Sequence, residues 1–140
     1  MTSEGCRVTS EAERAEPLPE LLCDARALAE EPPVPSGVLW KLAESGRQLD
    51  ANVVRIAPGG RIAAHAEGRL DVLLLVVAGD GVLGAGPSDA PGPVAEGALV
   101  WLPRGSTRSI SAGERGLTYL TVHKRRPGMG ITARPADGPS

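Results

Sequence analysis

The chain has no phenylalanine, and only three of its 140 residues are aromatic: Trp40, Trp101 and Tyr119. Any core must therefore be built from Val, Leu, Ile and Ala, and the β-branched members of that set favour strands. Cysteine is almost as scarce. Cys6 and Cys23 lie in the N-terminal segment without the spacing of a redox pair or a zinc knuckle. That pattern excludes a disulfide-stapled scaffold and reads as free thiols in a reducing compartment. Long apolar runs are missing too. The longest, Val72 to Ala78, has seven residues, against the ~20 that a membrane helix needs. The first thirty residues are acidic and lack the apolar stretch of a secretory signal. The expected location is the cytoplasm, with no membrane association.

Charge of one sign is not in excess. The formal net charge is −2, with 41% hydrophobic and 23% charged residues, an ordinary globular composition. Thirteen of the 15 basic residues are arginine, and Gly, Ala and Pro are abundant, as in proteins encoded by GC-rich genomes. The balance hides an asymmetry. Residues 1–31 carry eight acids and three arginines, net −5, whereas residues 32–140 are net +3. A charge of +3 is too small to argue for a nucleic-acid partner. The basic cluster Lys124-Arg125-Arg126 reads as a solvated strand end. The length suits one domain and is short for two.

Along the chain, residues 1–17 are polar and Glu-rich and are expected to be disordered. In residues 18–36, Leu18, Leu21, Leu22, Ala25 and Leu28 recur at helical spacing, which predicts a short amphipathic helix over 18–30. Pro32, Pro33 and Pro35 then end it and form a stiff linker. From residue 37 the pattern changes to short apolar stretches separated by Gly and Pro. Strands are predicted at 37–43, 49–56, 61–66, 71–78, 80–85, 97–102, 107–112 and 116–123, with turns at Gly59-Gly60, Gly79, Gly81, Pro91-Gly92-Pro93, Pro103, Gly105 and Gly113. Turn signals every 8–12 residues without intervening helices predict an all-β barrel or sandwich over 37–127. Residues 128–140 form a Pro/Gly-rich tail.

Two segments carry a more specific signal. In residues 58–81, Gly59 is followed after five residues by His65, and Glu67 and Gly79 follow at fixed offsets. In residues 97–112, Gly97 is followed by Pro103 and Gly105, then by Arg108 and Ala112. These frameworks resemble the two motifs of the cupin family: Gly, five residues, His-x-His, three or four residues, Glu, six residues, Gly; and Gly, five residues, Pro-x-Gly, two residues, His, three residues, Asn. The chain is similar to small single-domain bacterial cupins over residues 37–123. The resemblance implies a double-stranded β-helix, or jelly-roll barrel, whose three histidines and one glutamate hold a divalent metal in the lumen. Here the motif residues are substituted. Glu67 stands at the second His position, Val72 at the Glu position, Arg108 at the last His and Ala112 at the Asn.

Val72 has no ligating atom, and Arg108 carries a permanent positive charge that cannot coordinate a cation. About three protein ligands are needed for a mononuclear site, so the expectation is no cofactor. The alternative is a divalent ion (Fe, Mn, Ni or Zn) held by His65, Glu67, Asp71 and His123. A sharper expectation is that Glu67 and Arg108 form a buried ion pair in the place of the metal, since an arginine fork accepts a carboxylate bidentately. Trp40 and Trp101 are expected in the core. Either Asn52 or Arg55 reaches the lumen, and Ser106, Thr107, Ser109 and Ser111 surround Arg108.

Function is expected to be binding of a small polar or anionic molecule in the lumen by His65, Glu67 and Arg108. An enzyme is the alternative, either a metal-dependent dioxygenase or isomerase, or a metal-free isomerase with His65 as catalytic base. A regulatory partner protein using its N-terminal helix is a third reading, and a homodimer is expected from the exposed strand edges. No Ser-His-Asp order, cysteine nucleophile or phosphate loop is present.

Overall fold

A computed structural model describes residues 17–30, 36–85 and 88–126. It contains one short helix, α1 (Ala25–Glu30), and seven strands: β1 (Gly37–Lys41), β2 (Leu49–Ile56), β3 (Arg61–Ala66), β4 (Val72–Ala85), β5 (Ser88–Ala95), β6 (Leu99–Leu102) and β7 (Thr107–Lys124). The predicted N-terminal disorder, most of the proline linker and the predicted tail lie outside the described residues.

All pairings are antiparallel. The order is β1-β2-β7-β4-β5, with β3 also on β7 and β6 also on β4. The expected all-β barrel is what the chain forms. β7 is the organiser, because its first half pairs with β3 and its second half with β2, while β4 accompanies both halves.

Three predicted turn regions, at Gly79–Gly81, at Gly113 and at Pro91-Gly92-Pro93, are not turns. The segments 71–78 and 80–85 are one strand, interrupted by irregularities between Val76 and Ala78 and between Gly79 and Gly81. Gly79 has φ of 81° and is there for backbone approach: a Cβ on it would collide with the Gly116 carbonyl. In the same way 107–112 and 116–123 are one long strand. Pro91-Gly92-Pro93 lies inside β5 and does not form a connection. Proline is tolerated there because β5 is the last strand of the order, where a missing N–H breaks no ladder on the open side.

The helix is shorter than its periodicity suggested. Asp24 Oδ1 accepts hydrogen bonds from the N–H groups of Arg26 and Ala27 at 3.0 and 3.1 Å, so the helix starts after Asp24 as its N-cap. Pro17 and Pro19 disfavour helical backbone upstream. Residues 17–24 form an irregular arm. α1 buries Ala29, and Arg26 pairs with Glu96 at 2.9 Å.

Alternation along the strands sends one set of side chains inward. Val72, Leu74 and Val76 of β4 meet Leu102 of β6 and Ile110, Leu117 and Tyr119 of β7. The Tyr119 hydroxyl shares this interior, and burial pushes its pKa up to about 12.

Candidate functional site at one end of the barrel

Arg108 lies two residues before Ile110 on β7 and is directed to the same, inner face, where only 5% of it is exposed. Its Nη2 donates to the Pro103 carbonyl at 3.2 Å and to Ser106 Oγ at 2.9 Å. Among the described residues its Nε is buried without a partner. The turn at Pro103–Ser106 makes this possible: Gly105 adopts φ of 84°, and the Ser106 N–H closes back on the Pro103 carbonyl at 3.0 Å. Burial pushes the guanidinium below its usual pKa, and the nearby negative charge of Glu67 opposes that shift. Arg108 stays a cation across any ordinary pH.

His65 pairs directly with Arg108 across the β3–β7 ladder. A register shift brings it there. Ile62 faces Ile110 and His65 faces Arg108, so three steps on β3 match two on β7. Without that extra residue, the alternation that turns the half-buried Ile62 inward would turn His65 away from Arg108's face. His65 is exposed, and its Nδ1 lies 3.1 Å from the Ala63 carbonyl of its own strand.

Glu67 does not pair with Arg108. Its Oε2 accepts the Arg69 N–H at 2.9 Å, and its Oε1 accepts Arg126 Nη2 at 3.0 Å. The expected buried Glu67–Arg108 ion pair is thereby corrected to a Glu67–Arg126 pair, with Arg108 feeling Glu67 only through space. The cause is topological. The β2–β7 ladder runs on to Lys124, and the Arg126 N–H then reaches Asp50 Oδ2 at 3.3 Å, which delivers its side chain to Glu67. Arg126 is exposed, as expected of a solvated strand end, and it also holds Glu67 at this end of the barrel. Partial burial pushes the Glu67 carboxyl up, but the Arg69 N–H and Arg126 outweigh it, and the net shift is downward. Asp50 behaves alike: burial is outweighed by Arg47 at 2.9 Å, the Arg126 N–H and the charges of Arg47 and His123. Sequence reasoning missed Asp50, Arg47 and Arg126, because no local pattern marks partners that lie far apart in the chain.

The lumen face continues through paired positions. Val72 stands beside Leu102 and His123, Leu74 beside Thr121, and Asn52 beside Thr121 on the next strand. Of the two candidates in β2, Asn52 is therefore the one on the lumen face, and Arg55 is on the other. Val72 is buried at the position where cupins place a glutamate. Asp71 is held outside this set by the Arg104 N–H at 2.9 Å and the Arg104 guanidinium at 3.5 Å. His123 Nδ1 lies 2.8 Å from the Lys124 carbonyl. Among the described residues, no three His, Cys, Asp or Glu side chains gather as a metal requires. The alternative ligand set His65, Glu67, Asp71 and His123 thus does not converge, and the donors present do not fit the ion that the fold's motifs imply. Of the serines and threonines, only Ser106 contacts Arg108 by hydrogen bond. Burial, reinforced by Asp24, pushes the Cys23 thiol above its usual range, away from nucleophilic use.

No family model matches this chain, and no curated protein matches its sequence. Solved structures do. The cupin domain of Schizosaccharomyces pombe Cnp3 superposes with a TM-score of 0.55 at 15% identity, over 62% of this chain and 63% of that one. A sugar phosphate isomerase of the cupin superfamily from Silicibacter pomeroyi gives 0.51 at 24%, over 58% and 53%. BH2720 from Bacillus halodurans gives 0.63 at 16%, over 84% and 89%. The chain spans less than two thirds of the first two structures it matches. At these identities the similarity shows the fold, a cupin-type double-stranded β-helix, and nothing of the chemistry.

Proposed function

We propose that this cupin-fold chain binds a small anionic or polar molecule at the Arg108 end of its lumen. The observation that carries the reading is the buried Arg108 guanidinium with an unpartnered Nε. A buried donor left without an acceptor costs about 1–3 kcal/mol, and a ligand carboxylate or phosphate oxygen would remove that cost. His65, opposite Arg108, and Asn52, Thr121 and His123 on the lumen face supply further polar contacts, and Val72, Leu74 and Leu102 supply apolar wall. No metal is assigned a part.

The paired placement of His65 and Arg108 also favours a second reading, an isomerase. His65 would abstract a proton next to a carbonyl or carboxylate, and Arg108 would stabilise the oxyanion that forms. One structural relative is described as a sugar phosphate isomerase, which is the reaction class that such a pair suits.

The test is a thermal-shift screen of the wild type and Arg108→Met with small carboxylic acids, sugar acids and sugar phosphates. A ligand at about 100 times its Kd raises stability by about 2.7 kcal/mol. The wild type should respond to at least one class and Arg108→Met should not. An equal response of both proteins refutes the binding role of Arg108. Turnover of a stabilising compound that disappears in His65→Ala, with binding retained, selects the enzymatic reading.

A further inference from the structure

β7 bulges where it passes the middle of β4. Gly79 pairs with Leu117 and Gly81 with Ala112, so residues 113–116 of β7 face Asp80 alone. Side-chain parity brings three polar groups to the outer face beside this bulge. Leu117 and Tyr119 enter the core, which turns Thr118 outward. Ile56 and Leu83 also point inward, which turns Arg55 and Asp80 outward. Arg55 and Thr118 are cross-strand partners, flanked by Gly37 on β1 and Ala78 on β4. Arg55 is therefore the one long side chain in a rank of small ones.

The glycines of the bulge seat both charges. Gly116 has φ of 81°, and a Cβ there would stand 2.8 Å from Arg55 Nη1 and 2.9 Å from Nη2, so the guanidinium lies against bare backbone. A Cβ on Gly113 would collide with the Asp80 carboxylate. The two charged groups thus rest three residues apart along β7. Among the described residues they pair neither with each other nor with Glu114 and Arg115 at the tip of the bulge. Both residues are half-buried. Arg55 Nε and Asp80 Oδ1 are nevertheless buried without a partner, as is Oγ1 of Thr118, which is 0% exposed. Among the described residues four buried side-chain atoms lack a partner; Arg108 Nε is one, and the other three gather here. Buried polar groups are normally hydrogen-bonded, so three on one patch mark a place for a polar partner.

We propose that this niche binds a small zwitterion, an α-amino acid of the size of glycine or alanine, with its carboxylate on Arg55 and its ammonium on Asp80. The charges decide the class. A simple anion is attracted by Arg55 and repelled by Asp80, and a simple cation meets the reverse. A molecule that carries both charges gains from both groups. The spacing decides the size. Three residues of strand span at most about 10 Å, and two charge-assisted hydrogen bonds of about 2.8 Å each leave about 4 Å or less between them. The charged head of an α-amino acid fills that gap. The Thr118 hydroxyl, able to donate and to accept, adds a third contact. The niche lies on the outer face, apart from the Arg108 end of the lumen and from any ligand held there.

Proton–nitrogen NMR of the full chain, titrated separately with glycine, L-alanine, acetate and methylammonium, tests the proposal. The two amino acids should shift the amides of Gly113, Gly116 and Thr118 and the Arg55 Nε–H to saturation, and acetate and methylammonium should not. Arg55→Gln and Asp80→Asn should each weaken glycine binding by about tenfold or more, the loss of one charge-assisted hydrogen bond. Thr118→Val keeps the shape of the side chain and removes the unpartnered hydroxyl. It should leave the melting temperature no lower and weaken glycine binding by about threefold. A wild-type protein whose bulge amides do not move with either amino acid overturns the proposal and leaves the three buried atoms to water. So does acetate or methylammonium shifting them as strongly as glycine, or glycine binding that is unchanged in both charge variants. Shifts confined to His65, Ser106 and Arg108 would place the amino acid in the lumen and overturn the outer site.

Discussion

Replacing Arg108 with methionine separates a structural arginine from a functional one. The side chain is 5% exposed and makes two hydrogen bonds, to the Pro103 carbonyl and Ser106 Oγ. Hydrogen bonds from a charged donor contribute about 1.5–3 kcal/mol each. Against them stand the unpartnered Nε, about 1–3 kcal/mol, and the desolvation of the guanidinium, several kcal/mol even after relaxation. Among the described residues no carboxylate within ion-pair distance offsets that loss, because Glu67 is committed to Arg126. The terms nearly cancel, so Arg108→Met should lose no more than about 1 kcal/mol of stability, and a gain agrees with the same reasoning because buried ions replaced by apolar residues often stabilise by about 1–4 kcal/mol. Urea denaturation of both proteins at neutral pH, without added ligand, measures the difference. A loss above about 3 kcal/mol would mean that Arg108 clamps the Pro103–Ser106 turn and is kept for the fold, and the reasoning that assigns it to a ligand would fail.

Other consequences are equally concrete. The pKa values of Glu67 and Asp50 are depressed in the folded state, so their contribution is present above the unfolded carboxylate range near pH 4 and is lost as pH falls through the folded values. Glu67→Gln should flatten stability against pH in that acid window and cost about 1 kcal/mol at neutral pH, since its partner Arg126 is half exposed; an unchanged acid limb argues against the pair. Gly79→Ala places a Cβ against the Gly116 carbonyl at a positive φ and should destabilise by about 2 kcal/mol or more in thermal unfolding; a smaller loss would show that β4 and β7 give way locally. His65→Ala removes an exposed ring and should leave the melting temperature within the change expected for about 0.5 kcal/mol, which makes it a clean probe of the site.

The barrel was legible because its punctuation is local. Gly59, Pro103 and Gly105 sit at chain reversals that need them, and alternation along β4 and β6 put Val72, Leu74 and Leu102 inside. Errors arose where one residue type serves two purposes. Gly79 reads as a turn but serves a close approach between strands, and the prolines of β5 read as a loop but are tolerated on an edge. Trp101 was misplaced because burial by residue type ignores strand parity, which assigns it to the outside. At the site, Arg108 and His65 were legible through motif spacing, whereas Arg126 was not. Its partner Glu67 is 59 residues away, and the link exists only because β2 and β7 pair to their ends. The shift in β3 that sets His65 opposite Arg108 leaves no mark in the sequence, since a bulge of one residue looks like an unbroken strand.

The substitutions at the barrel end follow one electrostatic logic. In cupins that hold a divalent ion, the lumen carries a positive centre ringed by neutral imidazoles and one carboxylate. Here the carboxylate position is Val72, and the positive centre is built into the chain as Arg108. A guanidinium has no open coordination position to offer oxygen or a substrate atom as a Lewis acid would, but its donors are directional. On the proposed function, the end of the lumen attracts anions through hydrogen bonding and charge alone. Glu67 would cancel that attraction if it paired with Arg108. Its diversion to Arg126 leaves the Arg108 charge balanced only through space. Arg126 thus bears on the polarity of the site, because among the described residues it pairs with Glu67, the carboxylate whose charge reaches Arg108 through space.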